Sequence, residues 1–202
     1  MKLFYSPGAC SLAPHIVLHE SGLAFEGVLA STKTHHLADG SDYYAVNPLG
    51  YVPFLVLADG RTLREGQVIS QYIADQVPAS GLAPAAGTWE RYKLQEWLSF
   101  ISSELHKGFS PLFNPATPED YKPLVKERLL QRLTWLDGEL AGKDYLMGST
   151  FTVADAYLFT VTNWAGFVKL DIAALANLAA VRARIVARPA VLAAMKAEGL
   201  VK

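Results

Sequence analysis

Between Pro78 and Gly87 the sequence reads Pro-Ala-Ser-Gly-Leu-Ala-Pro-Ala-Ala-Gly, and the residues on its two sides differ in kind. A stretch so rich in Pro, Gly and Ala reads as an interdomain linker. Before it, short apolar strand patterns alternate with helical ones. After it, strand signals almost vanish. The chain is thus expected to fold as a mixed α/β unit over residues 1–80, a linker at 81–87 and an all-α unit over 88–202. At 202 residues, 51% of them hydrophobic, it can bury a sizeable core in both parts.

The first unit opens with a short apolar strand at residues 2–5, stopped by Pro7-Gly8. Ser11 can cap the next helix, Pro14 is tolerated in its first turn, and Gly22 ends it. Phe25 to Leu29 reads as a second strand. Asn47-Pro48-Leu49-Gly50-Tyr51-Val52-Pro53 is turn-rich and leads into a strand, Phe54 to Leu57. Asp59-Gly60 is a two-residue hairpin signal with Thr62-Leu63 returning. Glu65-Gly66 then precedes a helix striped by Val68, Ile69, Tyr72 and Ile73. In the second unit Thr88 caps a long helix to about Lys107. Thr117-Pro118-Glu119-Asp120 starts another, which Pro123 kinks or restarts. Phe151-Thr152-Val153-Ala154-Asp155 is a capping box opening a helix apolar on nearly every side, expected at the centre of its domain. Two short helices complete the chain.

A net charge of −1 with no basic run predicts no nucleic-acid or membrane-surface partner. No apolar run reaches spanning length and no signal peptide is read at Met1–Pro7, so a cytoplasmic protein is expected. The lone Cys10 excludes an internal disulfide and a C-x-x-C centre. It stands on a loop feeding a helix N-terminus, where the partial positive charge favours thiolate. The alternative is a small buried hydrophobe. Position alone does not choose between them.

Other groups could complete a site. Val52-Pro53 reads as an ordinary trans bond at a strand edge, or as a cis bond whose Val52 backbone is free to pair with a peptide. Glu65-Gly66 at a helix start suits a plain cap, or the ammonium and carboxylate of a zwitterion. Ser99, Ser103 and His106 share one α-helical face beside Glu104 and Lys107, a polar cleft wall or a solvated surface. No metal site is read: His15 and His19 lack the Glu of a zinc motif, and His35-His36 has no ligand spacing. Nucleotide and serine-hydrolase motifs are absent.

Taken in order, Tyr5-x-Pro7-Gly8-Ala9-Cys10-Ser11, Asn47-Pro48-x-Gly50-x-Val52-Pro53, Leu63-x-Glu65-Gly66, Glu104-Leu105-His106-Lys107-Gly108-Phe109 and Phe151-Thr152-Val153-Ala154-Asp155-Ala156-Tyr157-Leu158 resemble the bacterial beta-class glutathione S-transferases end to end. The resemblance implies an α/β thioredoxin-like N-terminal domain plus an all-α C-terminal helical domain. Cys10 would face the sulfur of glutathione, and Val52, before a cis-Pro53, would pair with the tripeptide backbone. Glu65 and Gly66 would hold the γ-glutamyl end. Ser99, Ser103 and His106 would lie near the sulfur and glycyl end. Glu104 of a neighbouring subunit would approach the site of a homodimer. His35 stands where the family commonly has lysine, facing the glycyl carboxylate, and Ser99 where it commonly has asparagine.

The expected function is conjugation of the glutathione thiolate to a small hydrophobic electrophile, a detoxification chemistry. Glutathione is the co-substrate and no prosthetic group is needed. Cys10 and His106 are the catalytic candidates, with Tyr5 and Ser11 as candidate thiolate donors. Monothiol, glutaredoxin-like disulfide exchange through Cys10 is a second reading, since Ala13 leaves no dithiol. A non-catalytic carrier of apolar ligands is a third.

Overall fold

The computed structural model describes residues 1–202. Four strands, β1 (Lys2–Tyr5), β2 (Glu26–Leu29), β3 (Phe54–Val56) and β4 (Thr62–Leu63), form one sheet in the order β2-β1-β3-β4. β1 runs parallel to β2, with Leu3 opposite Gly27, and antiparallel to β3, with Leu3 opposite Leu55. The parallel pair needs a crossover, supplied by α1 (Leu12–Ser21). The antiparallel pair β3–β4 closes through Asp59-Gly60, where Gly60 takes a φ of 85°.

Strand alternation gives the sheet two apolar faces. Leu3 and Leu55 point toward α1 and α2 (Gly66–Gln76), packing with Leu12, Ile16, Ile69 and Ile73. Phe4 and Phe54 point the other way, into a small cluster with Ala30, Tyr43 and Val52. The second cluster anchors the loop that carries Val52.

The regular elements after residue 88 are all helices: α3 (Trp89–Phe100), α4 (Lys107–Phe113), α5 (Tyr121–Glu139), α6 (Val153–Thr162), α7 (Trp164–Phe167), α8 (Ala176–Val186) and α9 (Pro189–Ala197). All ten residues of α6 are buried, Asp155, Thr160 and Thr162 among them, in keeping with a helix apolar on nearly every side. Its capping box is present. Asp155 accepts hydrogen bonds from the Thr152 N–H (2.8 Å), the Thr152 hydroxyl (2.9 Å) and the Leu146 N–H (2.8 Å). The main apolar cluster runs from α1 and α2 into α6 and α9 without a break, so the helices after residue 88 rest directly on the sheet-bearing part.

Several local expectations need correction. Ser11 does not cap α1. Its hydroxyl accepts from the Ser6 N–H (3.1 Å) and donates to the Ser6 carbonyl (3.2 Å), tying off the loop instead. Pro123 neither kinks nor restarts a helix; α5 begins at Tyr121, so the proline falls in its first turn, where no N–H is missed. Val52-Pro53 is cis rather than the trans bond that the residues alone favoured, in keeping with the resemblance.

The expected long helix to about Lys107 is not α-helical throughout. α3 and α4 are joined by a π-helical turn over Ile101–His106, in which the Lys107 N–H reaches back five residues to Ser102. The Ser103 hydroxyl donates to the Ser99 carbonyl (2.9 Å), the acceptor that an α-helix would reserve for the Ser103 N–H. A π-turn inserts one extra residue and rotates the side chains that flank it.

Candidate active site

A cleft of about 340 Å³ opens where the N-terminal loops meet the π-turn and α6. Three loops converge on it. Ala9 and Cys10 come from the β1–α1 loop, Tyr51, Val52 and Pro53 from the lead-in to β3, and Arg64, Glu65, Gly66 and Gln67 from the start of α2. Ser102 and His106 face them from the π-turn and Lys107 from the start of α4, with Tyr157 behind.

The β1–α1 loop is held from both sides. Gly8 takes a φ of 70°. Its N–H donates to Glu198 (2.8 Å), and its carbonyl accepts the Trp164 indole N–H (2.9 Å). Glu198 is buried and also pairs with the buried His15 of α1 (2.9 Å). The Cys10 thiol, half-buried on the cleft floor, donates to the Val52 carbonyl at 3.2 Å.

Of the two readings that position left open for Cys10, the surroundings of the thiol favour the protonated one. Burial pushes the thiol up to about 11, with the Glu65 charge acting in the same direction; nearby backbone N–H groups and Lys107 oppose it without prevailing. Cys10 is therefore a neutral thiol, a proton donor rather than an anion.

The Val52 loop is braced by its neighbours. The Tyr51 carbonyl accepts from the Tyr43 hydroxyl (2.7 Å) and from the Asn47 side-chain amide (2.8 Å). The Asn47 side-chain oxygen in turn accepts from Arg64 (3.0 Å). So fixed, the Val52 N–H lines the cleft with no partner in the chain. Its carbonyl, expected to be free for a ligand, is taken by Cys10.

Glu65 adopts a φ of 66°, a left-handed conformation costing about 1–3 kcal/mol in a non-glycine residue. Its exposed carboxylate makes no cap bond and no ion pair. Gly66 brings the α2 N-terminus against Pro53: a Cβ there would sit 3.4 Å from the proline ring. The first N–H groups of α2 thus open toward the cleft beside a free carboxylate, a pairing that fits a zwitterion.

Opposite, the His106 Nδ1 lies 2.6 Å from the Tyr157 hydroxyl, and its ring meets Trp164 edge-on at 4.9 Å. Burial, then the Lys107 charge, holds His106 down at about 4, so the ring is neutral at pH 7. Burial also keeps the Tyr157 phenol protonated well above its ordinary range, outweighing the opposing pull of Ser102. A Tyr157 O–H donated into Nδ1 leaves the Nε2–H as a donor.

The remaining sequence candidates lie elsewhere. Ser99 and Ser103 are exposed, and Ser103 and Glu104 border a neighbouring groove, not the cleft. The expected Ser99–Ser103–His106 face assumed 3.6 residues per turn; the π-turn replaces Ser103 by Ser102 beside His106. Glu104 is engaged by Arg132 (2.8 Å) and Arg128 (3.4 Å). His35, at a φ of 56°, packs on Tyr44 with ring centres 4.5 Å apart, behind Gly50 and off the cleft lining. The Tyr5 hydroxyl turns to the Ala197 carbonyl (3.5 Å), and the Ser11 hydroxyl is buried on Ser6. Neither lines the cleft. Sequence reasoning missed Ser102, Tyr157 and Trp164. A lone phenol and a lone indole N–H in an otherwise apolar helical run were the available signal.

Residues 8–76 match the family model "Glutathione S-transferase, N-terminal domain", and residues 100–189 match "Glutathione S-transferase, C-terminal domain". Glutathione S-transferase GstA of Escherichia coli O157:H7 is 50% identical over 99% of this chain and 100% of its own length. A sphingomonad glutathione S-transferase solved in complex with glutathione superposes with a TM-score of 0.95 at 51% identity, covering 100% of both chains. A bacterial beta-class enzyme from Sphingomonas chungbukensis does so with a TM-score of 0.96 at 50% identity, also covering 100% of both.

Proposed function

The chain belongs to the glutathione S-transferase family and is a glutathione transferase with glutathione as co-substrate, and from that premise we propose how its own cleft binds and activates the tripeptide. The unpaired Val52 N–H donates to the tripeptide backbone, as a bound strand would require. Glu65 receives the γ-glutamyl ammonium, and the α2 N-terminus receives the adjoining carboxylate. Those anchors direct the sulfur toward Cys10 and His106.

Stabilising the glutathione thiolate is the chemical task. Two neutral donors suit it: the His106 ring N–H, held by Tyr157, and the Cys10 S–H, which turns from the Val52 carbonyl to the sulfur when glutathione binds. The glutathione thiol gives its proton to water. The thiolate sulfur then bonds to the electrophilic carbon, and a leaving group such as halide departs with the electron pair of its own bond. The carrying observation is the convergence of Cys10, Val52 and Glu65, from three separate loops, on one cleft.

The small hydrophobic electrophile would meet the sulfur beside Trp164, on which Phe109 and Phe113 stack edge-on at 5.9 and 5.7 Å. A thiol raised to about 11 weighs against disulfide exchange with Cys10 as attacking group. A homodimer is supported by an aromatic face on α3 and α5, where Trp97, Phe100 and the exposed Trp135 cluster within 6.0 Å of one another. In such a pair, residue 104 of each copy would near the other's cleft. Detoxification is the proposed role and the cytoplasm the proposed place; no helix is long and apolar enough to cross a membrane.

Glutathione titrated into the protein at pH 7 should raise thiolate absorbance near 240 nm, and Glu65→Ala should weaken that titration at least tenfold. Turnover of an aromatic halide should persist in Cys10→Ala, because His106 remains as a donor. Glutathione affinity unchanged in Glu65→Ala would defeat the assignment of the γ-glutamyl end.

A further inference from the structure

Glu65, the α2 N-terminus and Val52 meet the γ-glutamyl end and the backbone of glutathione. The tripeptide carries a second carboxylate, on its glycyl end, and that charge needs a partner too. Two charged basic side chains line the cleft, Lys107 and Arg64. Lys107 stands by the thiol, for its charge acts on both Cys10 and His106. Arg64 lies elsewhere. Its charge is felt at Tyr43, whose ring stacks on Phe4 on the sheet face turned away from α1 and α2.

Arg64 is held on two sides. Its Nε donates to the Asn47 side-chain oxygen at 3.0 Å, and its guanidinium carbon stands 5.0 Å from the centre of the Phe54 ring. Asn47 is buried and is itself fixed by its bond to the Tyr51 carbonyl. Both contacts are with neutral groups. They occupy one edge and one face of the guanidinium and leave its two terminal nitrogens without a partner in the chain. Glu65, next in sequence, does not neutralise it. At a φ of 66° the Glu65 carboxylate turns the other way, and its charge acts on Cys10 and Tyr157. A guanidinium already braced loses little freedom on binding, and its planar fork matches a carboxylate through two parallel N–H donors. His35 offers no competing charge, because it packs on Tyr44 off the cleft lining.

We propose that Arg64 is the receptor for the glycyl carboxylate of glutathione, a role that rests on the assignment of this cleft to the tripeptide. The two ends of the ligand are then met by consecutive residues of opposite charge, splayed apart by the left-handed backbone at Glu65. Such a site selects a free C-terminal carboxylate and discriminates against peptides esterified or amidated there.

Calorimetric titration of the full chain tests this with glutathione and its glycyl ethyl ester, which differ only at that carboxylate. The parent should bind glutathione about tenfold tighter than the ester, the worth of one charge-assisted hydrogen bond. Arg64→Gln removes the charge and keeps an amide donor for Asn47. It should weaken glutathione about tenfold and leave the ester within about twofold of the parent value. Glu65→Ala should weaken both ligands and keep the preference between them. Equal affinity of the parent for glutathione and the ester would overturn the proposal without recourse to any variant. So would an Arg64→Gln chain that weakens both ligands alike, the mark of a role limited to bracing Asn47, or one that retains the parent's preference. Glutathione binding unchanged in Glu65→Ala would instead defeat the reading of the cleft itself, and this proposal with it.

Discussion

The ionisation of Cys10 can be measured directly, because it is the only cysteine and every thiol signal belongs to it. With its pKa pushed up to about 11, against roughly 8.5 for an unperturbed thiol, about 300-fold less thiolate is present at pH 7.5. A thiolate of higher pKa is intrinsically more nucleophilic, which returns roughly tenfold at a Brønsted slope of about 0.4–0.5. Labelling by iodoacetamide should thus run about 30-fold slower than for a free cysteine before any steric hindrance. The assay is pseudo-first-order alkylation without glutathione, read by intact-mass spectrometry from pH 6 to 10. Cys10→Ala serves as the blank. The rate should climb tenfold per pH unit throughout, with no plateau. Glu65→Gln should raise it, because the Glu65 charge disfavours the thiolate. A plateau reached below pH 8 would refute the reasoning. It would mean that the α1 terminus and Lys107 outweigh desolvation, and that Cys10 serves as an anion.

Further outcomes can be checked. Tyr157→Phe removes the hydroxyl at the His106 Nδ1 and should lower kcat up to about tenfold, the worth of one neutral hydrogen bond, with KM for glutathione little changed. In the parent enzyme, kcat/KM should show no inflection near pH 6.5, because a ring titrating at about 4 is neutral throughout that range. Asp155→Ala leaves the Thr152 and Leu146 N–H groups buried without acceptors and should cost about 4 kcal/mol, or ~12 °C in Tm by differential scanning calorimetry. Gly108→Ala drives a methyl to 2.8 Å from Leu129 and should lose about 1–3 kcal/mol in a urea melt; an unchanged midpoint would show that α4 and α5 part freely.

What could be read from the residues was local chemistry. Asp59-Gly60 fixes a hairpin because glycine alone takes its φ of 85° without penalty, and Thr152 with Asp155 writes its capping box within four residues. What could not be read depended on distant partners. The helix-terminus rule for Cys10 counts a dipole but neither the burial of the thiol nor the Glu65 charge beside it. The Ser99–Ser103–His106 face failed because one extra residue in the π-turn cannot be seen in a pattern that assumes a uniform period. Tyr157 was hidden inside a helix apolar on nearly every side, where its ring looked like core and its hydroxyl went unweighed.

The clamp on Gly8 also sets an order of events in synthesis. Its anchor, Glu198, lies 190 residues further along the chain. At about 5–20 residues per second, a ribosome needs roughly 10–40 s to travel that distance. Through that interval the sheet and α1 can form, but the Gly8 N–H and His15 wait for the carboxylate that will join them. The thiol loop is consequently held less firmly while translation is under way than in the finished chain, because the carboxylate that clamps Gly8 is among the last residues to arrive.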